Sequence, residues 1–209
     1  LNVFFWLLLL IIYIFLIGLR HEVGGDWSTY IHGSNLFNEN YDPFDLNIRS
    51  DYAFEFVSWL SNQLNLGIYG TNFFSASVFT ITLFYFCSLQ PNKWLGILIS
   101  FPVIILILGM GFTRQGVAFS FILLSLISLI KKQQIYFFIY IFLAVLFHKS
   151  SILFLPIFLV TIEKNKIANS VLLLIFSLFT IFVVWQDLYH LFSTYIVGKL
   201  TTTEQGTEL

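Results

Sequence analysis

The sequence predicts an all-α, polytopic membrane protein with about six or seven membrane segments and one long loop after the first. Three observations predict it. The 209 residues are 58% hydrophobic and only 10% charged, against about 25% charged in soluble domains. The few charges cut the chain into long uncharged runs. The lysines gather in alternate short turns, as in helices that cross a bilayer and return.

The segments follow in order. Uncharged apolar runs cover 1–19, 68–89, 94–112, 115–130, 133–147, 150–162 and 167–186. A spanning helix needs roughly 20 residues. Runs 1–19, 68–89, 94–112 and 167–186 meet that, and 115–130 is marginal. Runs 133–147 and 150–162 are short and fit a tilted or re-entrant hairpin buried among the others. Run 1–19 is read as a first spanning helix, because no basic n-region and no small-x-small site precede Arg20. The chain starts at Leu1 inside an apolar run and ends in TTTEQGTEL, as expected for a piece of a larger membrane protein. The whole of 1–209 is read as one integral membrane domain.

Lys93, Lys131, Lys132, Lys164 and Lys166 occupy three short turns with Glu163 as the one acid, so these turns are expected on the cytoplasmic side. Loop 20–67 and the turns at Arg114 and His148 then lie outside. Parity supports the hairpin: a single helix over 133–162 would carry Lys164 and Lys166 to the outer face. The outer loop 20–67 is aromatic and acidic. Within it, YAFEFVSWLSNQL (52–64) spaces Phe56, Trp59, Leu60 and Leu64 like an amphipathic helix. It is expected either in the outer interface or packed on the bundle.

This topology brings Arg20, His21, Glu22, Asp26, Arg49, Arg114, His148 and Lys149 to one face. Gly24-Gly25 permits positive φ and close backbone approach. Asp26 follows and suits the N-cap of a helix opening on WSTY, whose N-terminal amides would favour an anion. Gly109 and Gly111 loosen the end of a span just before Arg114-Gln115 opens the next. An arginine at a helix N-terminus opposes the dipole and calls for a compensating anion or carboxylate. A phosphate suits its planar fork; a salt bridge to Asp26 or Glu22 is the rival. His148-Lys149-Ser150-Ser151 forms the hairpin turn, where the histidine serves as base, donor or interfacial anchor.

Several classes are excluded. A net charge of −1 argues against a nucleic-acid partner. The single cysteine, Cys87, permits no internal disulfide and lies in an apolar run as core filler. P-loop, HExxH and GxSxG motifs are absent and the four histidines are dispersed, so no metal or other cofactor is implied. No span carries a charge in its interior, which disfavours a transporter or flippase. A structural subunit of an envelope assembly is the non-enzymatic alternative.

Three blocks, in order, resemble the EpsG family of polytopic polysaccharide polymerases, related in role to Wzy-type polymerases. They are Arg20 with Val23-Gly24-Gly25-Asp26 and Tyr30; Arg114-Gln115 with Ala118; and Phe147-His148 with Ser150-Ser151 and Pro156. The resemblance implies a glycosyltransferase of the bacterial plasma membrane, acting at the outer face. It would move a growing glycan from polyprenyl (undecaprenyl) diphosphate to a hydroxyl of the next lipid-linked repeat unit, in exopolysaccharide, capsule or O-antigen synthesis. Partners implied are that lipid-linked oligosaccharide, membrane lipid, and flippase and chain-length regulator proteins. Arg20 and Arg114 would stabilise the leaving diphosphate. Asp26, Glu22 and His148 are the candidate bases. Gly25, Tyr30, Arg49, Gln115 and Lys149, with Glu22, would surround the substrate. Family members are longer, so further C-terminal spans are expected. A ligase or another polyprenyl-linked glycosyltransferase would present the same arginines.

Overall fold

Leucine, isoleucine and phenylalanine fill Asn2–Gly18, with no proline and with glycine only at its end, and the segment forms helix α1 in the computed structural model. The structure describes residues 2–35, 51–161, 166–179 and 181. The remaining described helices are α2 (Trp27–Asn35), α3 (Tyr52–Gln63), α4 (Gly67–Ser88), α5 (Lys93–Ser100), α6 (Thr113–Ile130) and α7 (Gln134–Phe147). Helix α5 runs on as a π-helix over Phe101–Gly109, and α7 is followed by a 3-10 helix over Lys149–Thr161. A last apolar helix, α8, covers Lys166–Phe179. No strand occurs among the described residues, so the all-α expectation holds.

Two described helices reach spanning length with apolar composition: α4, with 22 residues, and α6, with 18. Helix α6 is marginal in sequence because the uncharged run begins only beyond Arg114; the helix itself begins at Thr113. The other expected segments are apolar helices of 10–17 residues. The bulk of α1 is turned outward: Phe4, Leu8, Ile12 and Phe15 are exposed while Ile17 is buried. An apolar helix with so much uncovered surface requires a non-aqueous surround.

The chain divides into Leu1–Leu155 and Pro156–Leu209. In the first unit α4 is the central post, touching α1, α2, α3, α5 and α6, while α6 and α7 pack as an antiparallel pair. Ile17, Ala76, Phe79, Leu83, Phe84, Cys87, Ile97, Ile105 and Leu123 form the main core. Cys87 is filler, as expected, with its sulfur 3.2 Å from where a Cβ on Gly96 would stand. In the second unit α8 exposes Ile167, Val171, Leu174 and Leu178.

The first unit has two chemically different ends. At one, Lys93 Nζ lies 4.9 Å over the Trp6 ring and 5.6 Å over Trp94, and Lys131 donates to the Tyr85 hydroxyl at 2.8 Å. At the other lie the exit of α1, helices α2 and α3, and the starts of α4 and α6. Helix α7 returns there too, because the Lys131–Gln133 turn, with Lys132 at φ 58°, reverses the chain. Helix α3 buries Phe54 and Ser61 and exposes Phe56 and Leu60. It packs on α4 and α7, so the expected amphipathic helix is present and its inner face is fixed by the bundle.

Candidate functional site at the arginine end of the bundle

A second, smaller core supports this end. Phe54, Val117, Ala118 and Phe147 are buried together, with Tyr30 and Phe121 packed against them. Each sits within about one turn of a polar residue that the site uses: Phe54 of Asp51, Val117 of Arg114, Phe147 of His148. The first two pairs are three apart, a spacing that shares a helix face, and His148 is carried directly by the buried Phe147 at the extended cap of α7, so packing the apolar members sets where the polar ones meet.

They meet at Asp51. Its carboxylate accepts from Arg114 Nη1 at 3.1 Å and from the Lys149 backbone N–H at 3.3 Å. His148 Nδ1 stands 3.8 Å from Oδ2, an ion-pair distance longer than a hydrogen bond. Asp51 precedes α3 in the N-cap position, yet it makes no side-chain cap bond to that helix. It serves α6 and α7 instead. Its side chain is 5% exposed, against 33% for Arg114 and 26% for His148. Burial raises the Asp51 carboxyl pKa, but His148, the Lys149 N–H and the Arg114 charge outweigh it and hold the group below the usual aspartate value. This residue stood unmarked among the acids of the outer loop. An aspartate before a helix reads as an ordinary cap, and nothing local distinguishes it.

Tyr30 is the second contact of Arg114. Its hydroxyl accepts from Arg114 Nε at 3.4 Å and donates to Asp26 Oδ2 at 3.1 Å, and the guanidinium lies 5.4 Å over its ring. Burial raises the Tyr30 pKa above the ordinary phenol value, which keeps the hydroxyl a donor. The compensating carboxylate that Arg114 calls for is therefore Asp51 directly, with Asp26 behind Tyr30.

Arg20 is placed differently. It is 6% exposed. Nη1 donates to the Gly109 carbonyl at 2.7 Å and Nη2 to the Thr113 hydroxyl. The helix breaks between Gly109 and Thr113, which leaves a carbonyl end and an N-terminal start side by side. Arg20 joins them, one residue from Arg114. Gly24, at φ 103°, lies against the same break: a Cβ there would stand 2.6 Å from the Gly111 carbonyl oxygen. The close approach expected of Gly24-Gly25 thus falls on Gly24, while Gly25 faces open space. Glu22, also at positive φ, is exposed and lies 3.8 Å from His21. Gln115 and the Lys149 side chain are exposed. Arg49 lies outside the described residues.

A pocket of about 50 Å³ opens beside Arg114, lined by Thr29, Tyr30, Phe54, Ser58, Thr71 and Asn72 among others. The profile of the EpsG family matches residues 3–202, nearly the whole chain. The chain belongs to the EpsG family. Membership gives it a polymerase-like role in polysaccharide biosynthesis and makes it a membrane protein. No curated protein and no solved structure matches the chain. In this EpsG-family protein, Arg20, Arg114 and His148, one from each of the three sequence blocks, lie at one end of the first unit, where Arg114 and His148 also share Asp51.

Proposed function

We propose that this EpsG-family protein transfers a growing glycan from polyprenyl diphosphate to a hydroxyl of the next lipid-linked repeat unit, at the outer face of the bacterial plasma membrane. The observation that supports this most is Asp51 bridging Arg114 and His148, which brings a cation for a diphosphate and a base for a hydroxyl to one carboxylate. The lysines of the opposite end point that end toward the cytoplasm.

In the proposed reaction the acceptor oxygen bonds to the anomeric carbon as the bond from that carbon to the diphosphate oxygen breaks. The diphosphate leaves with the electron pair, and negative charge grows on its oxygens. Arg114 Nη1 and Nε are held by Asp51 and Tyr30, and Nη2 has no partner among the described residues. That nitrogen, a third of the side chain being exposed, addresses the departing phosphate. A preorganised donor of this kind contributes about 3 kcal/mol to the barrier. Helix α6 adds its N-terminal amides, since Phe112 at the N-cap position has no side-chain acceptor. Asp51 stands 3.8 Å from His148 Nδ1, where its charge would stabilise the imidazolium formed as Nε2 takes the proton of the attacking hydroxyl. Among the candidate bases His148 is preferred, because Asp26 is occupied by Tyr30 and Glu22 is turned to solvent beside His21. Arg20 acts by fixing the turn that carries Arg114. The apolar outer surface receives the polyprenyl chain.

The test is glycan length in a host deleted for the gene and complemented with wild type, Arg114→Lys or His148→Gln. Both variants are expected to leave single repeat units on the lipid carrier outside the membrane, because lysine lacks the fork and glutamine cannot take the proton. Normal polymer from both would overturn the reading, and units trapped inside would point to export.

A further inference from the structure

A small chamber lies behind Arg20, lined by Ile17, Asn72, Ser75, Gly109, Thr113 and Gly116 among others. It measures about 10 Å³, the space of roughly one water. Three buried polar atoms on its lining residues have no hydrogen-bond partner among the described residues: Arg20 Nε, Asn72 Nδ2 and Asn72 Oδ1. Asn72 is 2% exposed on the central helix α4. A buried amide with neither end satisfied is costly anywhere, and more so at membrane depth.

The neighbours still have capacity. Thr113 Oγ1 accepts from Arg20 and keeps its proton to donate. Ser75 donates to the Thr71 carbonyl at 2.8 Å and keeps acceptor lone pairs. The Gly109 carbonyl, bonded once to Arg20, has a second lone pair. One water can therefore accept from Arg20 Nε–H and donate to Asn72 Oδ1 and a second acceptor, about three bonds in all, which is the usual complement of an internal water.

We infer that this chamber is an internal water site and that Asn72 is a positioning residue, acting through the water and Arg20 on the Gly109–Thr113 break and so on Arg114. The chain of contacts is α4 to water to Arg20 to the start of α6. The consequence for glycan transfer rests on the reading proposed above, but the site itself does not.

The experiment is amide hydrogen exchange on the purified full chain in lipid nanodiscs, which needs no substrate. Asn72→Leu closes the chamber and removes both amide ends. It is expected to raise exchange at Gly116 and Val117, the first amides of α6 bonded back across the break, about tenfold, the loss of one linking hydrogen bond, and to leave the 131–133 turn unchanged. Asn72→Asp keeps an acceptor facing Arg20 and is expected to retain wild-type protection there. A role in packing alone would not separate the two variants. Should Asn72→Leu fail to fold, Asn72→Val, also branched and without a polar atom, gives the contrast. Equal protection at Gly116 and Val117 in all variants would overturn the inference, as would a cryo-EM map that resolves ordered waters and shows none between Arg20 Nε and Asn72. If exchange rises while Arg114→Lys leaves polymer normal, the water site stands and the polymerase reading falls. If exchange is flat while Arg114→Lys abolishes polymer, the inference alone falls.

Discussion

Replacing Asp51 by asparagine keeps the shape of the side chain and removes its charge. Arg114 Nη1 then loses an ionised partner at 3.1 Å. Coulomb's law at an effective dielectric near 20 gives about 5 kcal/mol for unit charges at that distance. A third of the Arg114 side chain is exposed, and solvent screening reduces that figure sharply. Hydrogen bonds to charged groups contribute about 1.5–3 kcal/mol, and we expect an Arg114–Asp51 coupling of about 2 kcal/mol. The assay is a double-mutant cycle with Arg114→Gln, Asp51→Asn and the pair, using unfolding free energies from denaturant titration in micelles. Glu22→Gln combined with Arg114→Gln serves as the control, since Glu22 is exposed beside His21. The control pair should add within about 0.5 kcal/mol. Additivity of equal quality for Arg114 and Asp51 would refute the argument that the carboxylate holds the arginine.

Asp51 also sets a pH dependence. Its folded pKa lies below the ordinary value, about 3.9 for aspartate. Its contribution is therefore complete above that value and is lost as pH falls through the lowered folded pKa; melting curves should show this acid loss in wild type and not in Asp51→Asn. Gly24→Ala forces a Cβ to 2.6 Å from the Gly111 oxygen at a φ of 103°. A destabilisation of about 1–3 kcal/mol is expected in the same titration, and an unchanged midpoint would show that the Gly24 turn does not bear on the break. With Cys87 buried, cysteines at Gln63 and Lys132 should label from outside and from inside respectively; the reverse pattern would overturn the orientation.

The all-α class, and the gathering of Arg20, Arg114 and His148 at one end of the first unit, were legible in the chain because both follow from local rules. Uncharged runs have to be helices where backbone groups lack water, and charges end those runs. Arg20, Arg114 and His148 thus mark one end in the sequence itself, and the lysines the other. Asp26 before WSTY and the amphipathic YAFEFVSWL were readable from spacing alone. Span counting was less secure, because helix ends are set by packing. Helix α6 starts at Thr113 and α5 gives way to a π-helix at Phe101, and a run of apolar letters does not show either, whereas the run 133–147 does end where α7 ends.

Only tertiary structure decided which polar groups touch. Asp51 lies 63 residues from Arg114 and 98 from Lys149 in sequence, and Arg20 lies 89 from Gly109. Composition and spacing fix which residues reach an end of the bundle. The packing of Phe54, Val117 and Phe147 fixes which of them meet there, because side chains choose partners by the positions that the buried core leaves them.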